Sequence, residues 1–110
     1  MQLVELLREA QRRTVEGQAS ALVTVVATKG STPRRAGARM LVDADGSIVS
    51  TIGGGCVEAE ARRAALDVIR TGQPRLLAVD LTADVAADEG AVCGGLMEVL
   101  IEPLKGDLPR

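Results

Sequence analysis

The stretch from Ala19 to Thr28 is a nearly unbroken apolar run whose centre, Leu22-Val23-Thr24-Val25-Val26, is rich in β-branched residues. Residues of this kind favour β-strands, and a strand without alternating polar residues has to be covered on both faces. No Phe, Tyr or Trp occurs in the 110 residues, so the core around this strand has to be aliphatic. The sequence therefore predicts a central strand that is covered on both sides.

Two other segments, residues 2–16 and 56–70, place apolar residues at helical spacing and charged residues on the opposite face. A glycine follows each segment, at Gly17 and Gly72, as is usual after the end of a helix. The pattern predicts two amphipathic helices.

Four further apolar segments predict strands, at residues 38–42, 48–52, 76–81 and 96–101. The first two flank a turn sequence that ends at Gly46 and are predicted to form a hairpin, and Pro103 is predicted to limit the last strand. A length of 110 residues is typical of one domain. The order of elements predicts a single domain over residues 1–110, of α/β or α+β class, with a mixed sheet of about five strands and two main helices packed against it.

The composition excludes several classes of function. Histidine is absent, which rules out a histidine general base, a Ser-His-Asp hydrolase and a histidine-rich zinc site. Without aromatic residues or a basic excess (the net charge is −2), a nucleic-acid partner is not expected. No apolar run is long enough to span a bilayer and no leader pattern is present, so we expect a cytoplasmic chain without a membrane segment.

The first segment with chemical potential directly follows the central strand and contains Gly30, Ser31, Thr32 and Arg34. Glycine permits unusual backbone geometry, the hydroxyls supply hydrogen bonds, and arginine binds oxyanions in a forked geometry. One interpretation is a cradle for an anion or phosphate. The other is a polar turn with solvated arginines.

The second segment, Gly53-Gly54-Gly55-Cys56, marks a junction between a strand and a helix. Glycines let a ligand approach the backbone, and the free N–H groups at a helix start favour anions. They would also favour the thiolate form of Cys56, whereas the negative charge of Glu58 in the first turn would disfavour it. The segment matches neither a phosphate-binding P-loop nor the dinucleotide fingerprint. Alternatively, Cys56 is a small buried apolar residue and the glycines only form a turn.

The third segment, Cys93-Gly94-Gly95, precedes the last strand and repeats the combination of a thiol with glycines. The two cysteines match no common metal-binding spacing, and in a reducing compartment they are expected to be free thiols. The acidic stretch 80–89 is interpreted as a solvated loop rather than a cation site.

Taken together, these segments resemble the N-terminal domain of the XdhC and CoxI family, the maturation factors of molybdenum hydroxylases. The motifs that carry the resemblance are Val25-Val26-Ala27-Thr28-Lys29-Gly30-Ser31-Thr32-Pro33-Arg34, Gly37-Ala38-Arg39-Met40, Gly53-Gly54-Gly55-Cys56-Val57-Glu58 and Val92-Cys93-Gly94-Gly95. The resemblance implies a chaperone, rather than an enzyme, that binds molybdenum cofactor as cargo. It would protect the cofactor or help a cysteine desulfurase to sulfurate it, and deliver it to an apoenzyme of the xanthine dehydrogenase or carbon monoxide dehydrogenase type.

The resemblance also implies roles for individual residues. Cys56 and Cys93 would lie near the metal or sulfur of the cofactor, as molybdenum ligands. Further cofactor contacts would come from the glycine-rich segments, namely Gly30, Ser31, Thr32, Arg34, Gly53, Gly54, Gly55, Gly94 and Gly95.

Many family members continue into a Rossmann-like domain, whereas this sequence stops at Arg110. We therefore expect that domain to be absent here, and a separate Rossmann-domain protein or a homo-oligomer to complete the assembly. Two other functions stay open: a thiol-dependent sulfur transferase or oxidoreductase that uses Cys56 and Cys93, and a regulatory anion-binding module.

Overall fold

The computed structural model describes residues 3–30, 32, 35–53, 55–81 and 95–104. Its elements in chain order are α1 (Leu3–Val15), β1 (Ser20–Lys29), β2 (Arg39–Asp43), β3 (Ile48–Ser50), α2 (Gly55–Thr71), β4 (Arg75–Asp80) and β5 (Leu96–Leu104). Both predicted helices and all five predicted strands are present. Neither helix is long and apolar enough to cross a membrane within the residues described.

The five strands form one sheet in the order β3-β2-β1-β5-β4, and every neighbouring pair is antiparallel. The class is therefore α+β, and the predicted mixed pairing is wrong. Helix α2 carries the chain from β3 at one edge to β4 at the other edge. These two strands run in the same direction, but three strands separate them, so the crossover creates no parallel pair.

The helices cover opposite faces of the sheet and produce three layers. Helix α2 presents a face of small and branched side chains to buried residues of β1, β2, β4 and β5. The members on α2 are Val57, Ala61, Ala64, Ala65 and Val68. Helix α1 packs on the other face through Leu6 and Ala10, against Leu41 of β2. Strand β1 is thus central and covered on both faces, as predicted.

The predicted limit of the last strand at Pro103 is wrong, because β5 continues to Leu104 and Pro103 pairs with Ala21 of β1. Proline has no N–H to donate to a neighbouring strand. On its other side, β5 is paired with β4 only up to Ile101. The proline therefore lies where one side of β5 is open, and a missing donor on that side costs no hydrogen bond.

Helix α1 is joined to the sheet by a nearly buried arginine. Arg13 is 9% exposed and donates hydrogen bonds to Asp43, at the end of β2, and to Glu9, one turn earlier in α1. Arg12 also donates to Glu9, at 3.0 Å. The hydrogen bonds from Arg12 and Arg13 together lower the pKa of Glu9 from 4.5 to about 2.

This lowered pKa predicts an acid-dependent loss of stability. A carboxyl group with a lower pKa in the folded chain stabilises the fold fully above its ordinary pKa, and the contribution disappears as the pH falls through the folded value. We expect Glu9→Gln to be less stable than the wild type at pH 6, and the difference to close between about pH 4.5 and pH 2. Urea unfolding at each pH measures it. A difference that stays constant down to pH 2 would contradict the assignment to Glu9.

Candidate functional site

The glycine-bearing segments that follow β1 and precede β5 meet at one end of the sheet. Lys29, the last residue of β1, pairs with Leu96, the first residue of β5. Just beyond this pair, the N–H of Leu81 donates to the carbonyl oxygen of Gly95 at 2.8 Å. Gly30 and Gly95, 65 positions apart in the sequence, are therefore brought to the same end.

The segments around β2 and β3 stop short of this end, beside the middle of β1. Thr24 of β1 pairs with Arg39, the first residue of β2, and Ser50, the last residue of β3, pairs with Met40. Helix α2 begins at Gly55, a few residues after Ser50. The fold thus brings Gly30 and Gly95 together, whereas the glycines before α2 follow a strand that ends beside the middle of β1.

The predicted anion cradle after β1 is described only in part. Gly30 directly follows β1, and Thr32 is partly buried. Ser31 and Arg34 lie outside the described residues. The role of this loop as a cradle therefore stays a prediction.

The predicted strand-to-helix junction at Gly53 to Cys56 is confirmed, since α2 begins at Gly55 and Cys56 is its second residue. Gly53 and Gly55 have φ angles of 138° and 59°, which residues other than glycine rarely adopt. Gly54 and the side chain of Cys56 lie outside the described residues. The junction places the backbone of Cys56 in the first turn, where N–H groups lack partners within a helix.

One hydroxyl holds this junction together. Thr51 Oγ1 accepts a hydrogen bond from the N–H of Gly53 at 3.0 Å and donates to Glu58 Oε2 at 2.6 Å. Thr51 thereby links the end of β3, the glycine turn and the first turns of α2. The carboxylate of Glu58, which the sequence places near Cys56, is bonded to this hydroxyl.

Gly95 is the only member of the third predicted segment within the described residues, and it is buried beside Leu81. Cys93 and Gly94 lie outside those residues. In the described part of the chain, no three Cys, Asp or Glu side chains are arranged to hold a metal ion. Molybdenum ligation by Cys56 and Cys93 therefore stays a prediction.

Sequence reasoning missed a cavity of about 300 Å³ at the start of β2. It lies between the first turns of α1, the start of β2 and the end of β3. Its lining consists of Leu3, Leu6, Gly37, Ala38, Arg39, Ser50 and Thr51. The only signal in the sequence is the polar pair Ser50-Thr51, which lies in the second predicted strand of the hairpin.

The backbone of Ser50 is strained. Its φ angle of 69° is the only positive value at a residue other than glycine in the described ranges. Such a conformation costs roughly 1–2 kcal/mol, because Cβ crowds the following carbonyl oxygen. Strain of this kind concentrates at ligand sites, where the surrounding structure imposes it.

Comparison with known proteins gives consistent results. The chain is 38% identical over 97% of its length to the uncharacterized protein YqeB of Escherichia coli (strain K12). It is 31% identical over 94% of its length to the molybdenum cofactor insertion chaperone PaoD of the same organism. A crystal structure of a xanthine dehydrogenase from Bacillus halodurans matches 96% of the chain, with a TM-score of 0.81 and 31% identity.

The chain spans only part of each of these proteins: 19% of YqeB, 32% of PaoD and 31% of the Bacillus chain. The model of the XdhC and CoxI family matches residues 7–80, which is more than half of the sequence. The chain therefore belongs to the XdhC and CoxI family.

Proposed function

We propose that this domain binds molybdenum cofactor as cargo and takes part in its insertion into a molybdenum hydroxylase. The observation that carries the proposal is the meeting of Gly30 and Gly95 at one end of the sheet, together with a glycine turn that leads into the start of α2. The relation to the insertion chaperone PaoD, which extends over 94% of this chain, supports the same role.

The chemistry of the start of α2 suits this cargo. The cofactor carries a phosphate and dithiolene sulfurs around its metal. The first N–H groups of a helix are unpaired and attract anions. Glycine in the turn before α2 leaves the backbone accessible, and a cysteine thiolate is a soft ligand suited to such a metal. Cys56 would hold the metal end of the cargo, and Cys93, which precedes β5 in the sequence, would be its second ligand.

The same arrangement explains how a domain without histidine could work. It performs no proton transfer of its own; it holds the cargo, shields its sulfurs from water and releases it to the apoenzyme. Sulfuration would take place on the bound cargo, with a cysteine desulfurase as the sulfur donor. The acceptor would be an apoenzyme of the xanthine dehydrogenase or carbon monoxide dehydrogenase type.

Cys56→Ser tests the proposal, since serine nearly preserves the shape but replaces a soft ligand by a hard one. After incubation with molybdenum cofactor and gel filtration, we expect molybdenum and pterin to co-elute with the wild type. The variant should retain at least about tenfold less, which corresponds to roughly 1.4 kcal/mol of binding free energy. The matched control is Ala59→Ser, at an exposed position of the same helix.

Circular dichroism of both variants shows whether the fold is intact. Wild-type retention of molybdenum by folded Cys56→Ser would refute the role of Cys56. Failure of the wild type itself to retain cofactor would refute the proposed function.

A further inference from the structure

We propose that the cavity between α1, β2 and β3 binds a phosphate monoester through Arg39 and Ser50. This proposal rests on the function proposed above: the cavity would hold the phosphate end of the pterin cargo. The residues differ from those to which the sequence assigns an anion, which include Gly30 and Arg34.

Arg39 supplies the charge. It is partly buried at the start of β2, and its Nη1 donates to the carbonyl oxygen of Gly37 at 3.2 Å. Among the described residues this carbonyl is its hydrogen-bond partner, and no carboxylate forms an ion pair with it. Most of the five N–H donors of the guanidinium are therefore available to an oxyanion, which arginine binds with two parallel hydrogen bonds.

The two hydroxyls of the cavity have different roles. The hydrogen of Thr51 Oγ1 is donated to Glu58, so this hydroxyl has no donor left for a ligand. The hydroxyl of Ser50 has no such partner within the described ranges. The left-handed backbone of Ser50 holds its side chain at the lining of the cavity, opposite the start of α1. Arg39 and Ser50 are thus the side-chain donors of this site.

The size and the apolar wall define the class of ligand. A cavity of about 300 Å³ has the volume of roughly ten water molecules and lies at the lower limit of small-molecule sites, so it exceeds what an inorganic anion needs. Leu3 and Leu6 of α1 form an apolar side, and a bare anion would leave it unused. A phosphate attached to a flat, partly apolar body would use both.

The cavity is also connected to the start of α2. Thr51 belongs to its lining and accepts the N–H of Gly53, in the turn that leads into α2. A ligand in the cavity therefore contacts the same short segment that positions the backbone of Cys56. One elongated cargo molecule could occupy both places, with its phosphate at Arg39.

The test is a titration of the amide NMR spectrum with four probes: dihydroneopterin monophosphate, unphosphorylated dihydroneopterin, AMP and inorganic phosphate. We expect the pterin monophosphate to shift the amides of Arg39, Ser50 and Thr51 and to bind most tightly. Arg39→Gln should weaken its binding about tenfold, as is typical for the loss of a charged bidentate hydrogen bond. The matched control Arg63→Gln, on the exposed side of α2, should change it less than twofold.

A second variant separates binding from folding. Ser50→Gly removes the hydroxyl but relieves the strained backbone, so we expect a higher melting temperature together with binding that is about threefold weaker. A variant that is more stable and binds less cannot have lost its ligand by unfolding. Unchanged binding by both Arg39→Gln and Ser50→Gly would overturn the inference.

The probes also distinguish the sources of the phosphate and the two proposals. Tighter binding of AMP than of the pterin monophosphate would assign the cavity to nucleotides and overturn the docking of the cargo phosphate. If the pterin monophosphate binds at Arg39 but the wild type does not retain molybdenum cofactor, the phosphate site stands and the proposed function fails. If Cys56→Ser releases the cofactor while Arg39→Gln retains it with wild-type affinity, the proposed function stands and the cavity assignment fails.

Discussion

Ile52→Ala is expected to lower the free energy of unfolding by about 3 kcal/mol, within the range for large-to-small changes at fully buried positions. The side chain of Ile52 is 0% exposed and belongs to the main core cluster between α2 and the sheet. Alanine would leave a cavity that rigid neighbours on the sheet cannot fill. Urea unfolding followed by circular dichroism measures the loss.

The matched control is Ile48→Ala, at the first residue of the edge strand β3, where the side chain is only partly buried. We expect it to cost about 1 kcal/mol, because less apolar surface is lost. Equal losses at both positions would show that Ile52 is not the anchor of this segment. Ile52 lies between Thr51 and Gly53, so its replacement should also weaken the cofactor binding that we propose at the start of α2.

Arg13→Met is expected to lower the free energy of unfolding by about 2 kcal/mol. Removing one partner of a buried ion pair leaves the other charge without compensation, which costs 3–5 kcal/mol in a fully buried pair. The carboxylate of Asp43 is 20% exposed and stays partly hydrated, so we expect a smaller cost here. Methionine preserves the apolar stem of the arginine and isolates the loss of the charge.

Arg12→Met is the matched control on the same helix. Its guanidinium is half exposed and forms ion pairs with Glu9 and Glu16, so its removal should cost less than about 1 kcal/mol. The double variant Arg13→Met with Asp43→Leu should recover part of the loss, because no unpaired charge remains. A double variant less stable than the sum of the two single changes would contradict this account of the ion pair.

The helices and strands could be predicted because their signals are local. The spacing of apolar residues in α1 and α2 and the β-branched run in β1 reflect one element each. The order of the strands could not be predicted, since it depends on β5 inserting between β1 and β4. For the same reason the sequence does not show that β5 continues past Pro103: whether a proline is tolerated in a strand depends on where the neighbouring strand ends, and the end of β4 is a tertiary property.

The candidate site shows the same division. The junction at Gly53 to Cys56 could be found in the sequence, because three successive glycines are unfavourable in any regular element. The cavity at Arg39 could not, because its lining comes from α1, β2 and β3 and consists of ordinary residue types. What distinguishes Arg39 is its place in the lining of a cavity, and that depends on which elements surround it.

The antiparallel pairing of β1 with β5 has a consequence for folding. It joins residues 67 to 84 positions apart in the sequence, from Lys29 with Leu96 to Ser20 with Leu104. Closing so long a loop costs chain entropy before any contact compensates for it, whereas the residues of β1 and β2 that pair are only 15 to 23 positions apart. We therefore expect β5 to dock late, which brings Gly30 and Gly95 together only in chains that have nearly finished folding. A freshly synthesised chain would then lack the proposed cofactor site until its last strand has docked.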